Sequence, residues 1–404
     1  MSPPETIDNS SKKFDAVHSE NLSDNGFKAN DLSYITSNQG VEFYHKNYTP
    51  PNFTIKELRE SIPAHLFKRS TLKSSIHTLI DLLICSILFY IATYFDTFSF
   101  AIQLVAWPLY WFFQGVFMTG LWVIAHECGH QAFSDHKAIN DFVGFVLHTG
   151  LLVPYHSWRI SHARHHAHTG HLHEDQVFVP IRRSEHNKLY DTINESVETA
   201  PIYSILRVVR ILLFGWPAYL IWNASGQPYK QYTSHFHPTS PIFRPHQAFK
   251  VLYSDAGLIV AFSVLAYFIK TTSFWTVAKY YLIPYINVNA WLVTITFLQH
   301  TDVYIPHYDP KEWNFVRGAL TTVDRDFGWF LNIALHHIND SHVAHHLFSQ
   351  MPFYNAIEAT KYLKAKLGQY YLYDRTPLHL SLYRSARNCL FIEDEGDVLF
   401  YKSK

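Results

Sequence analysis

Three short histidine groups have the spacing that most clearly indicates chemistry in this sequence. They are His126 and His130; His162, His165 and His166; and His342, His345 and His346. On an α-helix, residues four positions apart lie about 40° apart around the axis, so each group can direct all its imidazoles to one side. Neutral imidazole is a common ligand of iron, zinc and copper. Eight such ligands are too many for one ion, so the sequence predicts a centre for two metal ions.

The histidines are concentrated in two parts of the chain. The 404 residues include 27 histidines, and 18 of these lie within residues 126–173 and 300–346. The 33 lysines and arginines equal the 33 acidic residues, and this zero net charge disfavours a general nucleic-acid binder. The three cysteines are widely separated and form neither a disulfide framework nor a CxxC metal site. The histidine windows therefore remain the main functional signal.

Two other functions fit part of this pattern. The first group, His126-Glu-Cys-Gly-His130, matches the zincin motif H-E-x-x-H, in which Glu127 would be a general base. That interpretation leaves six histidines without a role and is disfavoured. A histidine-rich metal transporter would need ionisable residues near the middle of the bilayer, whereas these groups follow apolar segments. Cys128 is expected to be a packing residue and not a ligand.

Apolar segments predict how these groups are positioned. Charged residues make up 16% of the chain and aromatic residues 17%, which is typical of a membrane protein. Two segments, 142–158 and 211–222, are too short or too broken by Pro154, Gly215 and Pro217 for a span, and we expect them to be interfacial or re-entrant. The remaining segments predict four spans in two hairpins, at about 75–95, 98–125, 251–269 and 280–300.

Basic residues predict the orientation of the spans. Lys68, Arg69 and Lys73 precede the first span, and the long segments 126–250 and 301–404 are rich in lysine and arginine. The positive-inside rule therefore places both termini and both long segments in the cytosol. With four spans, all three histidine groups emerge on this face, whereas one further crossing would divide them. Residues 1–40 are polar and predict a disordered cytosolic tail, and residues 41–404 form one membrane domain.

The chain resembles the membrane-bound fatty acid desaturases, and among them the Δ12 (oleate) and ω3 desaturases of fungi and plants. The resemblance covers about residue 41 to the end of the chain. Among the stretches that carry it are HECGHQAFSDHKAINDFVGFVLHTGLLVPYHSWRISHARHHAHTG, EDQVFVP, GWPAYLIWNASGQPY, PHYDPKEWNFVRGALTTVDRDFG and NDSHVAHHLFSQMPFYNAIEAT. It implies an all-α integral membrane protein with four transmembrane helices and a cytosolic helical cap.

The resemblance also implies a cofactor and its ligands. The family's three histidine boxes map onto the eight histidines above, as metal ligands and catalytic residues of a di-iron centre that activates O2. It implies a further ligand, for which His300 in LQHTD is the candidate, and His336 also matches a family position. Gln131 stands where plant members usually have a second histidine, so no ligand is expected there. Which histidine serves which iron is left open.

Acidic residues near the histidine groups are expected to orient the ligands. Removing hydrogen from an unactivated CH2 group needs a metal–oxygen centre that side chains alone cannot supply. Carboxylates that accept an imidazole N–H bond fix the ring orientation of metal ligands. The candidates for this role are Asp175, Asp324, Asp326 and Asp340.

The family's activity implies a substrate and partners. We expect O2-dependent conversion of a membrane-associated oleoyl chain to linoleoyl. The alternatives are ω3 or bifunctional Δ12/ω3 desaturation, and hydroxylation, epoxidation or acetylenation on the same scaffold. The sequence has no HPGG haem signature, no GxGxxG motif and no ferredoxin cysteine cluster. The expected electron source is cytochrome b5 with an NADH-dependent reductase, at the endoplasmic reticulum membrane. The acyl carrier (phospholipid or CoA) and a homo-oligomeric state are left open.

Overall fold

A computed structural model describes residues 38–190 and 200–403 of the chain. Most of the predicted tail, residues 1–37, lies outside the described residues. Helices dominate the described part. The α-helices are α1 (Asn38–Asn47), α2 (Ile55–Glu60), α3 (Thr71–Ala92), α4 (Phe100–Gly129), α5 (Lys137–Gly150), α6 (Tyr155–His168), α7 (Arg183–Tyr190), α8 (Pro201–Trp222), α9 (Ala248–Thr271), α10 (Phe274–Val277), α11 (Ile283–His300), α12 (Phe315–Ala319), α13 (Trp329–Ala334), α14 (His342–Leu347), α15 (Phe353–Leu367) and α16 (Leu378–Asn388).

Shorter helical turns connect several of these helices. A π-helical turn, Ala278–Leu282, joins α10 to α11 into one continuous apolar segment. The 3-10 turns are Ala64–Phe67, Phe95–Thr97, Pro245–Gln247 and Gly368–Tyr370.

Two small sheets accompany the helices, so the prediction of an all-α protein was wrong in detail. Strand β1 (Pro306–Tyr308) pairs antiparallel with β4 (Val398–Phe400), and β2 (Asp324–Arg325) pairs parallel with β3 (Tyr373–Asp374). Strands this short have no alternating pattern long enough to be recognised in a sequence. Both sheets attach the C-terminal part of the chain to the segment that follows α11.

Five helical segments are long and apolar enough to cross a bilayer, by length and composition alone. They are Thr71–Thr97, Phe100–Gly129, Pro201–Trp222, Pro245–Thr271 and Phe274–His300. Four of them correspond to the predicted spans, with ends that differ by a few residues. The remaining segment, Pro201–Trp222, shows that the expectation of a short, broken segment at 211–222 was wrong. Helix α8 starts ten residues earlier than predicted, with Pro201 in its first turn, and it continues through Gly215 and Pro217.

Helix α8 is attached to the C-terminal part of the chain. The guanidinium of Arg207, in the first half of α8, donates hydrogen bonds to the carbonyl oxygens of Ala386 (2.8 Å) and Cys389 (3.4 Å) at the end of α16. An arginine held by protein carbonyls in this way does not face lipid hydrocarbon. The first half of α8 therefore lies beside the C-terminal segment.

Helix α4 lies at the centre of the helical assembly. It packs against α3, α5 and α11. Its last turns are completely buried, including Val123, Ile124 and Ala125. The predicted break within 142–158 is confirmed, since α5 ends at Gly150 and α6 begins at Tyr155. These contacts fix the ends of α4, α6 and α11 close to one another.

Candidate metal centre

The three histidine groups each lie on a helix or at its end, as their spacing predicts. His126 and His130 lie one turn apart at the C-terminal end of α4. The second group lies on the last turns of α6, and the third group lies on the short helix α14. His300 is the last residue of α11. Four separate helices therefore bring their imidazoles to one place.

Five imidazoles form a first group around one point. They are His126, His130, His162, His166 and His345, and each offers one ring nitrogen within 4.8 Å of the others. Two Nε2–Nε2 distances are short, 3.2 Å between His126 and His130 and 3.0 Å between His130 and His162. All three boxes therefore contribute to this group.

A second group adjoins the first. His165, His300 and His346 offer nitrogens within 4.8 Å of one another. The Nε2 atom of His342 lies 3.2 Å from that of His300 and 3.0 Å from that of His346. All nine predicted ligands are therefore brought together, in two adjacent groups. Because His165 lies on the same helix as His162 and His166, a single helix serves both groups.

The donor set fits metal ions. Within the described residues, both ring nitrogens of His166 and the Nε2 atom of His345 are buried without a hydrogen-bond partner. Buried polar atoms are normally paired, so these orphaned nitrogens need a ligand. Burial, and then the neighbouring imidazoles, lower the pKa of His162, His166 and His346 well below its ordinary value. Each ring is therefore neutral near pH 7, which is the form that binds a metal.

Two carboxylates contact the far side of ligand imidazoles. Asp175 Oδ1 lies 2.6 Å from Nδ1 of His165, as its predicted orienting role requires. Glu127 is fully buried, and its Oε1 atom lies 3.1 Å from Nδ1 of His126 and 3.4 Å from Nδ1 of His345. Because Glu127 faces the Nδ1 atoms and not the centre of the group, its position is that of an orienting residue and not of a zincin general base.

Among the described residues, the other three predicted orienting carboxylates bind groups other than the nine imidazoles. Asp324 accepts the backbone N–H of Val343 and the hydroxyl of Tyr371. Asp326 binds Gly328 and Asn332, and Asp340 contacts His337, which belongs to neither group. The contacts of Glu127 with two imidazoles were not predicted, although this residue stands inside the first box, because only the fold shows that the third box approaches it.

His336 lies outside both groups. Its Nε2 atom lies 2.7 Å from Oδ2 of Asp81, a buried carboxylate of α3. Both it and His337 have positive φ angles, 54° and 60°, so the chain turns sharply before α14. Cys128 is buried against Ile124 and Phe133, as expected for a packing residue.

A cavity of about 720 Å³ leads to the imidazoles. Its lining is mostly apolar and includes Trp122, Trp158, Trp216, Tyr219, Val293 and Phe297. Five of the clustered histidines also line it: His126, His162, His165, His300 and His342. This size is within the range of pockets that bind small organic ligands. An apolar ligand in the cavity would therefore lie beside both imidazole groups.

Comparison with known proteins identifies the family of the chain. The family model of the fatty acid desaturases matches residues 105–377. The Delta(12) fatty acid desaturase of Mortierella alpina is 54% identical over 371 residues, which cover 89% of this chain and 93% of that protein. The Delta(12)-fatty-acid desaturase of Arabidopsis thaliana is 44% identical over 360 residues, 88% of this chain and 92% of that protein. A protein of Glycine max named omega-6 fatty acid desaturase, endoplasmic reticulum isozyme 1, is 45% identical over 362 residues, with the same coverage.

Proposed function

Because the chain belongs to the fatty acid desaturase family, we propose that it converts a membrane-associated oleoyl chain to a linoleoyl chain by introducing a double bond at the Δ12 position. The family is that of oxidoreductases acting on fatty acyl chains. The regiochemistry is supported by relatives named Delta(12) desaturases, at 44% to 54% identity over most of both chains. Relatives of this similarity come from both fungi and plants.

The observation that carries the proposal is the mostly apolar cavity whose lining includes members of both imidazole groups. A saturated CH2–CH2 unit has no polar atom to bind, so the enzyme must hold this part of the acyl chain by apolar contacts. Aromatic side chains such as Trp158, Trp216 and Tyr219 supply such contacts over a large area. The same side chains exclude water from the reacting carbons. The cavity therefore orients an acyl chain beside the metal-binding imidazoles.

The nine imidazoles supply neutral nitrogen ligands that would hold two iron ions. Iron held there would supply, with O2, the oxidising power for removing hydrogen from unactivated CH2 groups. Two hydrogen atoms leave the acyl chain, two further electrons and two protons come from outside, and O2 is reduced to two molecules of water. The roles of this chain are to hold the ions through the three boxes and His300, and to orient the imidazoles through Glu127 and Asp175.

The two external electrons come from a separate protein, and the family resemblance favours cytochrome b5 with an NADH-dependent reductase. We place the reaction at the endoplasmic reticulum membrane, with both termini in the cytosol. The name of the Glycine max relative includes this compartment.

The imidazole groups support four membrane crossings. His165 and His300 lie in one group, so the chain between them crosses the bilayer an even number of times. Crossings by α9 and by the segment Phe274–His300 satisfy this condition. A further crossing by α8 would separate the two histidines, and the bonds of Arg207 to α16 also oppose it. We infer that α8 lies along the cytosolic side.

Expression in yeast cells whose only C18 unsaturated fatty acid is oleate tests the activity. We expect linoleate among the extracted fatty acids, and none with the His345→Ala variant, which should also lose bound iron. His136→Ala is a matched control, because His136 is exposed and belongs to neither group. Cells that form no diene, but convert added linoleate to a triene, would contradict Δ12 desaturation in favour of ω3 desaturation. A hydroxylated, epoxidised or acetylenic product would instead show that the same iron centre catalyses hydroxylation, epoxidation or acetylenation.

A further inference from the structure

The segment from Thr322 to Arg325 caps the end of α11, directly beside His300. The last carbonyl oxygens of a helix have no partner within the helix and must find one elsewhere. Here Leu298 O accepts a hydrogen bond from Arg325 Nε (2.7 Å). The next carbonyl, Gln299 O, accepts from Val323 N (3.1 Å) and from the Thr322 hydroxyl (3.0 Å). The position of His300 therefore depends on this segment.

The same segment holds the start of α14. Asp324 Oδ1 accepts the backbone N–H of Val343 at 2.8 Å, in the first turn of α14. Arg325 and Asn339 exchange two hydrogen bonds, since Arg325 N donates to Asn339 O (2.7 Å) and Asn339 Nδ2 donates to Arg325 O (2.9 Å). Helix α14 carries the third histidine box. Strand β2 therefore joins α11, which carries His300, to α14, which carries His342 and His346.

The Arg325 side chain is almost completely buried, with 2% of its surface exposed. Its guanidinium pairs with Asp302 at 2.6 Å and with Asp374. Arg384 pairs with the same two carboxylates, so two positive charges balance two negative charges. A guanidinium holds five N–H donors in a rigid planar fork, whereas an ammonium group is a compact charge with three donors and no such fixed geometry. Only the Arg325 fork, of these two, also reaches the backbone of α11.

We propose that Arg325 is a positioning residue that fixes His300 against His342 and His346, and so sets the metal site formed around His165, His300 and His346. The inference rests on the proposed function, because it assumes two irons. Its consequence for the two iron sites is asymmetric. The five-histidine group takes no ligand from α11, so loosening α11 weakens the second iron site and spares the first.

The test uses Arg325→Lys and Arg384→Lys in the full-length protein, purified in detergent and loaded with iron. Both substitutions keep a positive charge beside Asp302 and Asp374, but only the first removes a bond to α11. Chelator titration, followed by metal analysis and Mössbauer spectroscopy, measures release of each iron. For Arg325→Lys we expect the dissociation constant of one iron to rise about tenfold, from the loss of one charge-assisted hydrogen bond, with the other unchanged. Arg384→Lys should release both irons as the wild type does.

A second variant covers a failure of Arg325→Lys to fold. Thr322→Val removes one neutral hydrogen bond to Gln299 O and should weaken the same iron about fivefold. The inference is wrong if the folded variants release both irons as the wild type does, if both irons weaken equally, or if Arg384→Lys matches Arg325→Lys. A wild-type chain that binds fewer than two irons would instead contradict the proposed function.

Discussion

Replacing Glu127 with glutamine should weaken iron binding at the five-histidine group. The Oε1 atom of Glu127 lies 3.1 Å from Nδ1 of His126 and 3.4 Å from Nδ1 of His345, in a fully buried position. The negative charge of this oxygen favours the Nδ1–H form of both rings, which leaves both Nε2 atoms free for metal. A glutamine amide can place its oxygen at the same point, but that oxygen carries no charge. Both rings are therefore held in this form less strongly.

The size of the effect follows from the number of contacts. A contact with a charged acceptor contributes about 1.5 kcal/mol at the lower end of its range, about twice as much as one with a neutral acceptor. Losing the charge at both contacts therefore costs about 1.5 kcal/mol in total, or about tenfold in iron affinity. An effect of about this size is typical of carboxylates that orient metal-bound histidines.

Iron affinity is measured by chelator competition on purified protein, and linoleate formation is measured in microsomes. Glu312→Gln is a matched control, because Glu312 pairs with Arg317 at 2.8 Å on a partly exposed surface away from both groups. We expect this control to bind iron as the wild type does. Wild-type iron affinity and linoleate yield in Glu127→Gln would refute an orienting role for Glu127.

Two further predictions concern glycines. Gly120→Ala should lower the free energy of unfolding by about 1–3 kcal/mol, because its Cβ atom would lie 2.7 Å from Ala334 O. Gly150→Ala is the control, since a Cβ atom there would meet nothing within 4 Å. Thermal unfolding in detergent compares the two variants, and equal melting temperatures would contradict the close approach at Gly120. Gly215→Leu should reduce linoleate formation at least about tenfold with bound iron unchanged, because Gly215 lines the cavity and a Cβ atom there would already lie 3.4 Å from Val293. Undiminished product would show that the acyl chain does not pass this point.

The local arrangement of the site was predictable because it depends on helical spacing. Histidines four residues apart in a helix share a face whatever surrounds them. The apolar length of the spans likewise determined four of the five long helices, and the first box follows directly from one of them. Asp175 was predictable because it is close in sequence to the ligand that it contacts.

Long-range partners were not predictable in the same way. Glu127 contacts a histidine more than two hundred residues away, and the role of Arg325 depends on contacts with α11, β3 and α16. The extent of α8 was underestimated because Arg207 and Arg210 interrupt its apolar pattern, although Arg207 is compensated by carbonyls of α16. In a sequence, an ionisable residue beside an apolar stretch indicates the end of that stretch, and only the fold shows when a bonding partner allows the helix to continue.

The sequence by itself determined which imidazoles share a helix face, which segments are apolar, and that the histidines suit two metal ions. Only the tertiary structure decided how nine histidines divide into two groups, which carboxylates contact them, and which of them line the apolar cavity. The physical reason is the distance along the chain over which the two kinds of interaction act. Helical periodicity acts over four or five residues, whereas the packing of α4, α6, α11 and α14 is a collective result of contacts among distant parts of the chain.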